Sequence, residues 1–216
     1  MEDKKISEQE SLFIIQQMIE TAKQEQIDDG IDWIVWGWLL FATSVLTYVN
    51  LYYNWFSAAF FWNIFGILSL VLLGYSSISY YFIKKIHRVK TYTGDLFEKL
   101  NIGFFLFIAF IILSMNMGVG PVKGFALLTA LYAFWILIYG TALNFRPSII
   151  AAYITWAIAF VGLIIHKLEH SVEDQFKWIM LLHALAALCG YIIPGHMANK
   201  AFKKLNRQEN IVTHSV

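Results

Sequence analysis

The chain has 216 residues, of which 58% are hydrophobic and only 14% are charged. Soluble domains usually carry about 25% charged residues, so the composition argues against a soluble enzyme and indicates a membrane protein. The single cysteine, Cys189, excludes an intrachain disulfide. A net charge of +1 gives no indication of a nucleic-acid partner.

Residues 1–30 predict a cytoplasmic amphipathic arm. Ser7 is followed three positions later by Glu10, a pair typical of a helix start, and apolar residues then recur at helical spacing. The Asp-Asp-Gly segment at 28–30 predicts a break, and Asp32 is expected to cap the first membrane helix. Because the polar face of the arm is acidic and rich in Gln, we expect it to pack on protein rather than on anionic lipid.

Six apolar stretches follow, each of roughly the 20 residues that a helix needs to cross a ~30 Å hydrocarbon core. They cover residues 33–53, 58–83, 100–119, 122–145, 147–166 and 178–199. Helices are expected because lipid offers an open strand no hydrogen-bond partner. The sequence therefore predicts an all-α polytopic membrane bundle of six transmembrane helices in residues 31–199, followed by a basic cytoplasmic tail at 200–216.

Positive charge predicts the orientation of this bundle. If the N-terminus is cytoplasmic, 13 of the 16 Lys and Arg residues lie on the inner side, and only Lys123, Lys167 and Lys177 lie outside. The positive-inside rule then places both termini in the cytoplasm. Aromatic residues at the span ends predict interfacial belts, with Trp33 inside and Tyr52 outside as examples.

Small residues at helical spacing predict two close-packing rows. Ala151, Thr155 and Ala159 form one row on the fifth helix, and Ala186 and Gly190 form another on the sixth. Such rows let helix backbones approach each other, and packing is a more common role for them than ligand binding.

Histidine and glutamate after the fifth stretch form the sharpest local pattern. His166-Lys-Leu-Glu169-His170 follows the H-x-x-E-H order of inverted zinc proteases, with the two histidines one helical turn apart. His183 is expected at the level of His166, one to two turns below the outer surface. We therefore predict His166, Glu169, His170 and His183 as candidate ligands of a divalent metal, with no other cofactor. The alternative is that the first three are polar residues following an apolar run that ends at Ile165.

His183 is the one ionisable residue well inside a predicted span. An intramembrane ionisable group costs free energy unless it is paired or hydrated, so it is by default a functional candidate. The competing interpretation is a neutral imidazole that hydrogen-bonds to a neighbouring helix.

Three segments resemble a known family. They are residues 10–20 (ESLFIIQQMIE), 145–150 (FRPSII) and 191–196 (YIIPGH). The chain is similar, over its whole length, to an uncharacterised family of six-helix inner-membrane proteins common in Bacteroidetes. The resemblance implies a bacterial inner-membrane location and no established activity.

The absence of carboxylates from the six predicted spans argues against an ion-coupled carrier, and no catalytic residues are predicted. We predict a non-enzymatic regulatory, sensing or scaffold subunit that acts by association, in a homo-oligomer or with a partner membrane protein. A small transporter or channel for a neutral or amphipathic solute is the alternative, and a metallohydrolase at the H-x-x-E-H pattern is a lesser one. The polar positions expected to line a transport path are Asn63, Asn101, Asn116, Thr129, Thr155 and His183.

Overall fold

The computed structural model describes residues 29–79, 92–168 and 171–213, and every regular element in these ranges is a helix. In chain order the helices are α1 (Ile31–Tyr53), α2 (Phe60–Ser79), α3 (Tyr92–Ser114), α4 (Pro121–Ala142), α5 (Arg146–Leu168), α6 (Val172–Ala187) and α7 (Ile193–Thr213). A π-helical turn at Met115–Val119 extends α3, and a second at Leu188–Ile192 joins α6 to α7. The predicted amphipathic arm lies outside the described residues, apart from its last two positions.

Five helical segments are long and apolar enough to cross a membrane. They are Ile31–Tyr53, Leu96–Val119, Pro121–Ala142, Arg146–Ile165 and Val172–Lys204. Helix α2 has a shorter apolar part, Phe60–Tyr75. The prediction of a helical, multi-pass membrane protein is therefore confirmed.

The start of α1 differs from the sequence prediction. Gly30 adopts a left-handed conformation with φ of 69°, and the Asp29 side chain accepts a hydrogen bond from Ile31 N at 3.0 Å. Asp32 lies in the first turn of the helix and not at its cap. The predicted cap at Asp32 is therefore wrong, because the helix starts at Ile31 with Gly30 at the cap position, and the Asp29 side chain binds the first helical N–H from the residue before the cap.

Helix α6 begins at Val172, six residues before the predicted span at 178. Ser171 caps this start, since its hydroxyl oxygen accepts a hydrogen bond from Asp174 N at 3.4 Å. Lys177 binds Glu173 at 3.0 Å and lies 5.1 Å from the centre of the Tyr52 ring, which connects this end of α6 to the end of α1. The polar residues between Val172 and position 178 therefore form the first turns of α6.

Helix α6 forms the centre of the bundle, because α1, α4 and α5 all pack against it. A Cβ atom added at Gly162 of α5 would lie 2.7 Å from Ile179 Cδ1 of α6. One added at Gly190 would lie 2.8 Å from Thr155 Oγ1 of α5. The predicted close packing is therefore confirmed where Thr155 of one small-residue row meets Gly190 of the other.

Helix α1 buries a polar face in this core. Ser44 and Thr47 are fully buried, and each hydroxyl donates to the carbonyl four residues earlier, at 2.8 Å. Asn50, also buried, closes the following turn: its amide donates to Phe56 O and Ser57 O, and its carbonyl accepts from Phe56 N. All these polar groups are therefore satisfied within α1 and its own turn.

The π-turn between α6 and α7 suits the proline that follows it. Ile193 N donates to Leu188 O, five residues back. Pro194 has no N–H, so the usual α-helical bond to the carbonyl of Gly190 cannot form there. The helix nevertheless continues into α7, because the wider turn absorbs the missing bond.

Helices α2 and α3 lie at the edge of the bundle. Among the described elements, the backbone of α2 packs only on α1, and α3 packs on α4 and the turn that follows α3 itself. No Cα atom in the described part of α2 lies within 8 Å of one in α3. Only 6% of the α3 span is buried, compared with 39–50% of the spans that contain α1, α4, α5 and α6.

Candidate functional site

His183 lies in the last third of α6 and is 1% exposed. Its Nδ1 atom is 2.9 Å from the hydroxyl oxygen of Thr129 on α4. That hydroxyl also donates its one hydrogen to Phe125 O at 2.8 Å, so it must accept from His183. Nδ1 therefore carries the proton, and Nε2 carries an unprotonated lone pair that can only accept.

No described residue donates a hydrogen bond to this Nε2 atom. A gap beside the ring is lined by Leu40, Tyr132, Thr155, Ala186, Ala187 and Tyr191, and it is too narrow to hold a water molecule. Water therefore does not replace the missing donor. A buried acceptor without a donor costs roughly 1–3 kcal/mol, so a purely structural role would leave this group unexplained.

Three aromatic rings surround the imidazole. The ring centres of Trp62, Phe125 and Tyr132 lie 5.4, 5.5 and 5.6 Å from that of His183. Trp62 comes from the edge helix α2, and its indole N–H donates to Met180 Sδ at 3.4 Å. The imidazole is thus surrounded by apolar and aromatic side chains, and its Nε2 atom is an acceptor without a hydrogen-bond donor.

Side chains alone close the seam between α1 and α4. No Cα atom of α1 lies within 8 Å of one in α4, although both helices lie beside α6. Trp33 packs on Tyr139 with ring centres 4.6 Å apart, and Trp62 packs on Phe125 at 4.5 Å. The first pair joins α1 to α4, and in the second Trp62 of α2 covers the seam beside His183. In the described part of the chain, no Cα atom of α2 lies within 8 Å of one in α3.

Trp33 is buried in this seam, between Tyr139 and Tyr191. Its predicted place in the inner aromatic belt is therefore wrong, because neighbouring helices cover it. On the opposite side, Tyr52 and Trp55 are exposed, as an interfacial belt requires.

Polar residues predicted to line one path divide into two groups. Thr129, Thr155 and His183 are buried within the bundle. Asn63 of α2 and both Asn101 and Asn116 of α3 are exposed. The prediction that all six face a common interior is therefore wrong, since the asparagines lie on the two edge helices.

The predicted metal ligands are only partly described. Glu169, His170 and the side chain of His166 lie outside the described residues, so a metal site among these three stays a prediction. Gly162 lies beside Ile179 and Thr155 beside Gly190, which places His183 level with positions 158–162 of α5. His166 is four to eight residues, roughly 6–12 Å, beyond that level.

His183 therefore lies deeper than His166, on the facing side of α6, and the expected shared level is not observed. Among the described residues, no three His, Cys, Asp or Glu side chains lie close enough together to hold a metal ion.

Sequence reasoning identified His183 but not its surroundings. The hydrogen bond to Thr129 joins positions 54 residues apart, and Trp62 reaches the site from an edge helix. A buried threonine or tryptophan looks in sequence like any other membrane residue. Asn50 lies only four residues before the turn that it closes. It is the one unpredicted residue whose role is indicated by the neighbouring sequence.

No family model, curated protein or solved structure matches the chain. The resemblance of residues 10–20, 145–150 and 191–196 to the Bacteroidetes family stays a prediction.

Proposed function

We propose that the chain is a six-span protein of the bacterial inner membrane, with both termini in the cytoplasm. It serves as a non-enzymatic regulatory, sensing or scaffold subunit and acts by binding a transmembrane helix of another membrane protein. The positive-inside distribution of Lys and Arg supports the orientation. The exposed edge helices support the mode of action.

The observation that carries the proposal is the weak attachment of α3. Its span is 6% buried, whereas the spans that contain the other long helices are 39–50% buried. Transmembrane helices gain stability mainly from packing and hydrogen bonds with other helices. Helix α3 makes few such contacts with the other described helices, so a partner helix would add packing that these helices do not supply.

Polar and small residues on the edge helices support the same conclusion. Asn101 and Asn116 on α3 and Asn63 on α2 are exposed in an apolar setting, where a partner helix could bind them better than lipid. A Cβ atom added at Gly66 or Gly103 would meet nothing within 4 Å, so another backbone can approach there. We call these five residues the association surface.

The alternative of a small transporter or channel has less support. In the described part of the bundle, the polar residues do not form one interior row, and the gap at His183 excludes water. The exposed asparagines were among the residues predicted to line a transport path, and association with a partner helix explains their exposure equally well.

Photocrosslinking in native membranes tests the association surface. A photoreactive phenylalanine derivative replaces Ile112 of α3, one turn from Asn116, or Tyr153 of α5 as the matched control, since both side chains are exposed and apolar. We expect several-fold more protein adduct from position 112 than from position 153, because α3 carries part of the association surface and α5 carries none of it. Asn101→Leu with Asn116→Leu should lower the yield at position 112.

The mass of the adduct identifies the partner as a second copy or another protein. Equal protein adduct at both positions, or adducts with lipid alone at position 112, would overturn the association proposal.

Thiol labelling tests the proposed orientation. In a Cys189→Ser background, we expect Ser57→Cys to react with a membrane-impermeant maleimide on intact spheroplasts. Arg207→Cys should react only after lysis, because the exposed Arg207 belongs to the basic α7 end. The reverse labelling pattern would show that the positive-inside assignment is inverted.

A further inference from the structure

The free acceptor at His183 defines what a ligand must supply. Because Thr129 receives the Nδ1 proton, Nε2 presents a lone pair and no hydrogen. A ligand that satisfies it must donate, as a hydroxyl does. Carbonyl groups and anions are disfavoured, because they would place a second acceptor against the first.

The walls of the gap define the rest of the ligand. Leu40, Ala186 and Ala187 contribute apolar surface, and Tyr132 and Tyr191 contribute aromatic rings. None of the described residues that line the gap is a Lys, Arg, Asp or Glu. These walls suit an apolar body with one polar end.

The seam between α1 and α4 gives a route from the bilayer. Trp33 of α1 packs there on Tyr139 of α4, Trp62 of α2 covers the seam against Phe125 of α4, and no Cα atoms of α1 and α4 lie within 8 Å of each other. Rotation of these side chains opens the seam without moving a helix backbone, but Trp33 and Phe125 are buried, so the local packing must loosen for them to turn. Some rotation is required, since the closed gap does not admit even water.

We propose that His183 binds the hydroxyl group of a lipid-soluble phenol or alcohol, which enters from the bilayer through the α1–α4 seam. The ligand O–H donates to Nε2, and its ring or chain packs among Leu40, Tyr132 and Tyr191. This site is separate from the association surface and does not depend on it.

Binding of matched probes to the purified full-length chain in nanodiscs tests the site. The probes are p-dodecylphenol, dodecanol and p-dodecylanisole, of which the last resembles the phenol but has no O–H. We expect the phenol to bind about tenfold more tightly than the anisole, the ratio given by one hydrogen bond of ordinary net strength. Binding of dodecanol as well assigns the site to hydroxyl compounds generally, whereas its failure to bind assigns the site to phenols.

His183→Leu should abolish the preference for phenol over anisole, and His196→Leu, at an exposed histidine of α7, should leave it unchanged. If His183→Leu does not fold, nitrogen NMR of the imidazole in the unmodified chain replaces it. Phenol and not anisole should then shift the His183 Nε2 signal. Equal affinity for phenol and anisole, no binding of either hydroxyl probe, or an unmoved Nε2 signal overturns the proposal.

Discussion

Replacing Gly37 by alanine should destabilise the bundle by about 1–3 kcal/mol, the usual cost of overpacking. The new Cβ atom would lie 2.8 Å from Tyr191 Cβ and 3.1 Å from Ile192 N. Both atoms are fixed to the backbone of the π-turn, so a side-chain rotation cannot relieve the contact. Helix α1 must move away from α6, and thermal unfolding of the purified protein in detergent should show a lower midpoint.

Gly103→Ala provides the matched control for this substitution. Gly103 lies in α3, and an added Cβ atom would meet nothing within 4 Å. Alanine favours a helix over glycine by about 0.5–1 kcal/mol, so this variant should be as stable as the parent or slightly more stable. An equal loss of stability in both variants would contradict the close approach of α1 to α6.

Thr129→Val is expected to cost about 1–3 kcal/mol, although it hardly changes the side-chain volume. The substitution removes the acceptor of the His183 Nδ1 hydrogen and leaves both ring nitrogens unpaired in an apolar site. We expect a lower unfolding midpoint in detergent.

Thr155→Val separates this effect from the loss of a buried hydroxyl. Thr155 is also buried and donates to its own helix, to Ala151 O at 2.8 Å, but the structure shows no bond from it to His183. It should cost less than about 1 kcal/mol, since the carbonyl keeps its helical partner. If Thr129→Val were equally costly in a His183→Leu background, the bond to His183 would not be the source of the loss.

The helices of this fold were predictable, because a helix that crosses a membrane needs a minimum number of consecutive apolar residues. Such a stretch can be recognised from the sequence alone. The small-residue rows at Thr155 and Gly190 were predictable for a similar reason, since their spacing follows the helical period. Both signals are local, and no knowledge of neighbouring helices is needed to recognise them.

The neighbours themselves were not predictable from local signals. Trp33 has the residue type and position of a belt residue, and only contact with Tyr139 and Tyr191 buries it. The level of His183 relative to His166 depends on how α5 and α6 pack, as in the contact of Thr155 with Gly190. Such contacts join distant positions, so no single stretch of sequence shows this level.

The buried hydroxyl face of α1 has a consequence for biogenesis. Helix α1 is synthesised first of the described helices, but its partner α6 emerges only after more than 100 further residues, a delay on the order of ten seconds. Ser44 and Thr47 spend that interval without their final neighbours. Because each hydroxyl is already hydrogen-bonded to its own helix, both hydroxyls of α1 are paired while it lies in lipid before α6 is inserted.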